Sequence, residues 1–152
     1  MKNCILLSIR KTWADAILSG KKLLEIRKCV PSYNTNTGKR ADYPLRVVMY
    51  ETKKQGGTGA VVGFFDCPGY IGTADEADER LAKLSCLTIE QLEEYRDGSW
   101  LYGWKVQNPR RLPEPVPLEA MHLGGPPQSW RWLPAMNADD LAEIAAAQGV
   151  KL

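Results

Sequence analysis

The sequence predicts an α+β fold: a mixed or antiparallel sheet, drawn into a β-barrel, with helices around its outside. Three observations carry this. Apolar periodicity gives the order β-α-β-β-β-α-α-β, followed by a proline-rich stretch and a last helix. Strands mostly follow strands, without the helical crossovers a doubly wound parallel sheet requires. The chain has 152 residues, 44% hydrophobic and 25% charged, so one domain can bury a core without metals or disulfides.

The elements follow in order. Cys4–Ile9 (CILLSI) is short and apolar and reads as a buried strand. Trp13, Ala16 and Ile17 recur at helical spacing, which predicts a helix over about Thr12–Ser19 that Gly20 can end. Lys21–Lys28 alternates as a strand, with Leu24 and Ile26 on one face and Leu23, Glu25 and Arg27 on the other. Cys29–Pro44 is a long polar loop, a length often tied to function or mobility. Leu45–Thr52 and Ala60–Cys67 are strands joined by the glycine-rich turn KKQGGTG, and Tyr70–Gly72 continues the second.

Helices are predicted at about Ala74–Leu84 and Ile89–Tyr95, the second opened by a Thr88/Gln91 capping box and closed by Asp97-Gly98. Trp100–Val106 is an aromatic strand. Asn108–Pro117 holds four prolines and is expected to be extended and irregular. Gly124–Leu133 is a Gly/Pro turn with two tryptophans. A last helix, about 138–147, is expected to be capped by Asn137. One domain, 1–152, is the reading, with its core over about 4–133 and the last helix appended.

Several function classes drop out. No apolar run approaches the roughly 20 residues of a membrane helix, and MKNCILLSIRKTW is broken by Arg10 and Lys11 without a small-residue cleavage site. Cys4, Cys29, Cys67 and Cys86 are far apart and form no C-x-x-C. With a single histidine, His122, the expectation is reduced thiols in a cytoplasmic protein, no metal and no cofactor. Cys4 and Cys67 belong to apolar runs; Cys29 sits in a basic stretch that could favour reactivity. His122 has no recognisable triad, and no serine sits in a G-x-S-x-G elbow. KKQGGTG joins two strands rather than opening a helix, so it is a flexible hairpin turn and not a phosphate loop.

Charge and aromatics point to a partner. The net charge is only +2, yet residues 1–54 carry +8 and residues 55–152 carry −6, an asymmetry that suits an anionic partner for the basic half. Five tryptophans against two phenylalanines leave some for stacking on bases rather than filling the core. Trp104 and Trp130, with polar neighbours, are the stacking candidates. In the dense run GKKLLEIRK (20–28), Glu25 and Arg27 share a strand face. There the guanidinium can grip a phosphate or base edge while the carboxylate accepts a base amino proton.

These residues also carry a resemblance. Leu7-Ser8-Ile9-Arg10, Trp13-Ala14, Ile17, Gly20, Lys22, Glu25 and Arg27 are similar to the pattern I-L-S-I-[KR]-x-x-[WY]-A-x-x-I-x-x-G-x-K-x-x-E-x-R of the ASCH (activating signal cointegrator homology) family. Further matches are Met49–Thr52, Gly59–Gly63 and Pro126–Leu133. The match resembles the variant found in bacterial and prophage genomes. It implies a PUA-like barrel ringed by helices, a cleft lined by the motif's Lys, Glu and Arg, and binding of RNA or other nucleic acid. Some small members resemble one another as amidohydrolases of N(4)-acetylcytidine, and another is described as a metal-dependent ribonuclease. Lys22 matches the amidohydrolase lysine. Glu25 stands where those members have threonine, and their third carboxylate falls near Ser85.

Two readings follow. A nucleic-acid-binding module would build a basic cleft from Lys22, Arg27, Arg40, Lys53 and Lys54, with Tyr50 or a tryptophan for stacking. Its partner would be RNA, single-stranded nucleic acid or a modified nucleoside. An enzyme would hold Lys22 and Glu25 close together as catalytic groups, with the lysine pKa shifted.

Overall fold

The first strand runs between two sheet neighbours and is buried on both faces, which is why its sequence is apolar without alternation. The computed structural model describes residues 3–73 and 79–152. In chain order the elements are β1 (Cys4–Ile9), α1 (Lys11–Leu18), β2 (Leu24–Arg27), the short strands β3 (Tyr33–Asn34) and β4 (Lys39–Arg40), and β5 (Leu45–Glu51). There follow β6 (Ala60–Cys67), β7 (Tyr70–Thr73), α2 (Glu79–Ser85), α3 (Ile89–Arg96) and β8 (Leu101–Lys105). The chain finishes with β9 (Gln107–Val116), β10 (Trp130–Trp132) and α4 (Ala135–Ala147). The first five residues of the helix expected over 74–84 lie outside the described residues; the rest is α2.

A five-stranded sheet has the order β10-β1-β5-β6-β9, and a three-stranded sheet the order β2-β8-β7. Only the β1–β5 pair is parallel, so the α+β class with a mixed sheet holds. Among the described residues the two sheets face each other without joining into a closed ladder. One edge is β9, where Pro109, Pro113 and Pro115 remove the amides that further pairing would need. This segment is extended as its prolines suggested, but it is a ten-residue paired strand, and its register on β6 shifts twice. Proline is tolerated here because β9 pairs on one side only, with β6. At Gly63 an added Cβ would come within 2.4 Å of the Arg110 carbonyl, so glycine permits that close approach.

Alternation along β1 and β5 sorts the core into two layers. Leu6, Val48, Tyr50 and Phe64 face one side, where α4 lays Ala138, Leu141 and Ala145 against them. Ile5, Leu7, Val47, Met49 and Phe65 face the other, with Ala14 and Ile17 of α1, Trp104 and Trp132. The outer face of the smaller sheet buries Leu24, Ile26 and Leu101 under Leu81 of α2 and Leu92 of α3.

Two further expectations change in three dimensions. Tyr70–Gly72 does not extend β6; Pro68-Gly69 interrupts the strand, and β7 pairs with β8 in the other sheet. Asn137 is not the cap of α4, which starts two residues earlier behind Pro134. Its buried amide instead donates to the Met121 carbonyl at 2.7 Å. By contrast, the Thr88/Gln91 capping box of α3 forms in both directions, at 2.9 and 3.0 Å.

Candidate functional site

The site begins at the end of α1. Gly20 adopts φ +84°, and the amides of Lys21 and Lys22 both donate to the Ala16 carbonyl at 3.0 Å. This left-handed stop turns the chain back over its own helix. It places Lys22 beside Trp13, with Nζ 5.0 Å from the ring centre. The Leu23 amide then bonds to the Leu84 carbonyl, and β2 begins.

On β2, Glu25 and Arg27 point into the space between the sheets. Arg27 donates Nε and Nη2 to Glu25 Oε2 at 3.1 and 2.8 Å. Its Nη2 also donates to the Ser8 carbonyl at 3.0 Å and its Nη1 to Ser129 Oγ at 3.1 Å. Arg27 therefore ties β2 to β1 and to the segment before β10. Lys22 Nζ lies 3.6 Å from Glu25 Oε1 and donates to the Ser85 carbonyl. The Lys22 and Glu25 side chains are 1% and 6% exposed. Burial pulls the Lys22 ammonium below the ordinary lysine range, and the Glu25 carboxylate opposes that shift.

A cleft of about 450 Å³ opens over this network. Ser8, Ile9 and Arg10 form one wall, continuous with Trp13 of α1. Thr52 and Lys54 approach from the β5–β6 turn, Gln91 and Tyr95 from α3, and Gln128 from the segment before β10. Four cationic side chains and one carboxylate thus line the cleft. The Thr52 hydroxyl is buried and has no hydrogen-bond partner among the described residues, so it is available to a ligand. Volume, charge and two aromatic walls suit a group the size of a nucleotide.

Of the residues singled out in the sequence, Lys22, Glu25, Arg27 and Lys54 line this cleft. Lys53 is exposed on the same turn, its stem against Gly59. Arg40 stands on the β3–β4 hairpin. Tyr50 is 6% exposed in the core layer on the other side of the five-stranded sheet, out of reach of the cleft. Trp104 is 1% exposed and donates its indole N–H to the Cys29 carbonyl at 3.0 Å. Trp130 packs edge-on between Trp104 and Trp132, at 6.0 and 6.1 Å. The aromatics at the cleft are instead Trp13 and Tyr95. Trp13 stood in the same motif as Lys22, and Thr52 in a matched segment; Gln91 signalled only a capping box and Tyr95 nothing, because both reach the cleft from a distant helix.

Two other expectations meet their surroundings here. The turn after β5 is pinned rather than loose: the Thr58 amide donates to Glu51 Oε1 and the Gly59 amide to the Glu51 carbonyl, at 2.9 and 3.0 Å. Cys29 is exposed, whereas burial pushes the Cys4 and Cys67 thiols up to about 12 and about 11, leaving those two inert near neutral pH. Among the described residues no three His, Cys, Asp or Glu side chains come together as metal ligands. The cleft offers a cation one carboxylate, already engaged by Arg27 and Lys22, so the residues present do not fit a metal centre. No helix among the described residues is long and apolar enough to cross a membrane.

No family model and no curated protein matches the sequence. Solved structures do. The ASCH protein from Zymomonas mobilis matches with a TM-score of 0.77 at 21% identity, over 95% of this chain and 96% of that one. Two point-substituted forms of the same protein match at 0.77 and 20% identity, each over 94% of this chain and over 96% and 99% of theirs. At this identity the likeness is one of fold, and it covers nearly the whole chain: this chain has the α+β fold of that ASCH protein.

Proposed function

We propose that this is an ASCH-type protein that binds RNA, or a modified nucleotide within it, in the cleft above Lys22, Glu25 and Arg27. One observation carries the reading. A nucleotide-sized cleft is lined by Arg10, Lys22, Arg27 and Lys54 against a single carboxylate, and Trp13 and Tyr95 flank it. The cations favour a phosphate-bearing ligand, the rings give a base a face to lie on, and Glu25 Oε1 accepts a base N–H. Glu25 Oε2 is fully used by Arg27, which fixes the carboxylate before any ligand arrives. Four unpaired thiols fit work in a reducing cytoplasm.

The test is a polarisation titration with fluorescent single-stranded RNA at two salt concentrations. Binding at low salt that weakens steeply at high salt supports the reading, and no binding at low salt overturns it.

A second reading, hydrolysis of the acyl group from an N(4)-acylated cytidine, is favoured by the state of Lys22. A buried amine with a lowered pKa, 3.6 Å from a carboxylate, is poised to act as a nucleophile or to move a proton. Release of free cytidine from such a nucleoside by the wild type, abolished in Lys22→Ala, supports this reading. Turnover unchanged by that substitution removes Lys22 from the chemistry.

A further inference from the structure

We propose that the β3–β4 hairpin is a second nucleic-acid subsite, in which exposed Tyr33 stacks on a base and Arg40, opposite it in register, holds an adjoining phosphate. This rests on the cleft being a nucleotide site and extends it to the strand that leads away.

Tyr33 is 54% exposed, as open as Trp100 at 55% and unlike Trp104 and Trp132, which are buried. Neither its ring nor its hydroxyl has a hydrogen-bond or aromatic partner among the described residues. Tyr33 pairs with Arg40 across the hairpin, so their side chains leave the ribbon on the same face. A flat π surface beside a guanidinium is what a base and its phosphate require.

The backbone beneath is held firmly. Trp132 donates its indole N–H to the Tyr33 carbonyl at 2.8 Å, and the Ala41 amide donates to the Ser32 carbonyl at 2.9 Å. Asn34, on the opposite face, is 5% exposed, and the amides of Thr37 and Gly38 donate to its carbonyl at 3.2 and 2.9 Å. Tyr43 Oη closes the loop base on the Pro31 carbonyl at 2.8 Å. Two open side chains on a fixed backbone lose little freedom when a ligand arrives.

Charge and position complete the argument. Residues 26–41 contain Arg27, Lys28, Lys39 and Arg40 and no Asp or Glu, a surface suited to a polyanion. The same short segment anchors both subsites: Ser129 holds Arg27 in the cleft, and Trp132, three residues on, holds Tyr33. At about 3.3 Å per strand residue the two anchors are about 10 Å apart.

The test compares wild type, Tyr33→Ala, Tyr33→Phe and Arg40→Ala for binding labelled single-stranded RNA of eight nucleotides and, by competition, single nucleotides. Tyr33→Ala is expected to weaken the octamer about tenfold, Tyr33→Phe to bind it as wild type does, and neither to change mononucleotide affinity. Arg40→Ala is expected to reduce the slope of log K against log salt by about 0.7. Wild-type octamer binding in both alanine variants overturns the subsite and leaves the cleft reading standing. Equal weakening of octamer and mononucleotide by Tyr33→Ala also overturns it, since the effect would then act through the cleft. If wild type binds no RNA at all, the cleft reading and the subsite fall together.

Discussion

Glu25 and Asp66 are each clamped by two cations, and they do different work. Glu25 lies between Lys22 and Arg27 in the space between the sheets, with 6% of its side chain exposed. Asp66 on β6 lies between Arg46 of β5 and Arg110 of β9, at 2.7 and 3.1 Å, with 23% exposed. Asn108 also donates to Asp66 at 3.2 Å, and both guanidinium groups lie over the ring of Phe64, 5.5 and 4.7 Å from its centre. The charges are nearly the same in the two places; the shape around them is not. Asp66 and its partners bridge three adjacent strands of one sheet and cover an aromatic core residue. Glu25 stands under a cleft, its Oε2 taken by Arg27 and its Oε1 3.6 Å from Lys22 Nζ. Charge pairing closes a surface in one region and leaves a binding group presented in the other.

Breaking the cleft cluster should have the largest effect. Glu25→Ala leaves buried Lys22 and part-buried Arg27 without their shared counter-ion, a loss of about 3 kcal/mol and a fall of roughly 10 °C in Tm. RNA binding should be lost as well, and thermal melts with polarisation titrations read both. A Tm within 2 °C of wild type would show that the cluster does not operate as a buried network.

Lys22→Met separates binding from stability. It removes a buried charge while nearly keeping volume, so Tm should hold within a few degrees. RNA affinity should fall about tenfold with the loss of a charge-assisted contact. A large Tm loss with affinity intact would place Lys22 with the structural clamps instead.

Asp66→Ala is the converse. Its partial exposure screens the ion pairs, so a loss of about 1 kcal/mol is expected, with RNA affinity unchanged. Weakened RNA binding in this variant would mean that the sheet surface takes part in recognition.

The smallest effect is in pH, and here the two clusters answer in opposite ranges. Burial would raise the Asp66 pKa, but hydrogen bonds from Arg46 and Asn108 outweigh it and hold the carboxyl below its ordinary value. Its stabilising contribution is therefore complete above the unfolded value near pH 4 and is lost as pH falls through the lowered folded value. Lys22 is lowered as well, but as a cation. Between its folded value and the ordinary lysine value near 10.4 the unfolded chain binds the extra proton, so stability rises with pH across that window. Urea melts from pH 2 to 10 should show the acid loss diminished in Asp66→Ala and the alkaline rise absent in Lys22→Met.

The sequence exposes local order well. β1 and β6 appear at the residues their apolar runs mark, the α3 capping box forms as its spacing suggests, and GKKLLEIRK delivers Lys22, Glu25 and Arg27 to one cleft. These features depend on neighbours within a few positions. Errors arise where a distant partner intervenes. Proline residues that argue for irregular chain become an edge strand because β6 supplies a ladder on the side that has amides to give. Asn137 abandons a cap for the Met121 carbonyl.

The same division decides the aromatics. By itself the sequence determined that this chain is α+β, that its basic half holds the Lys-Glu-Arg element, and that aromatics are numerous enough to serve both core and surface. Only the tertiary structure decided which aromatics are where. Tyr50 and Trp104 sit in core layers, Trp13 and Tyr95 flank the cleft, and Tyr33 stands in solvent. A residue's periodicity reports which side of its own element it occupies. Whether that side meets a core, a cleft or water depends on which other element packs there, and that is settled by contacts between residues far apart in the chain.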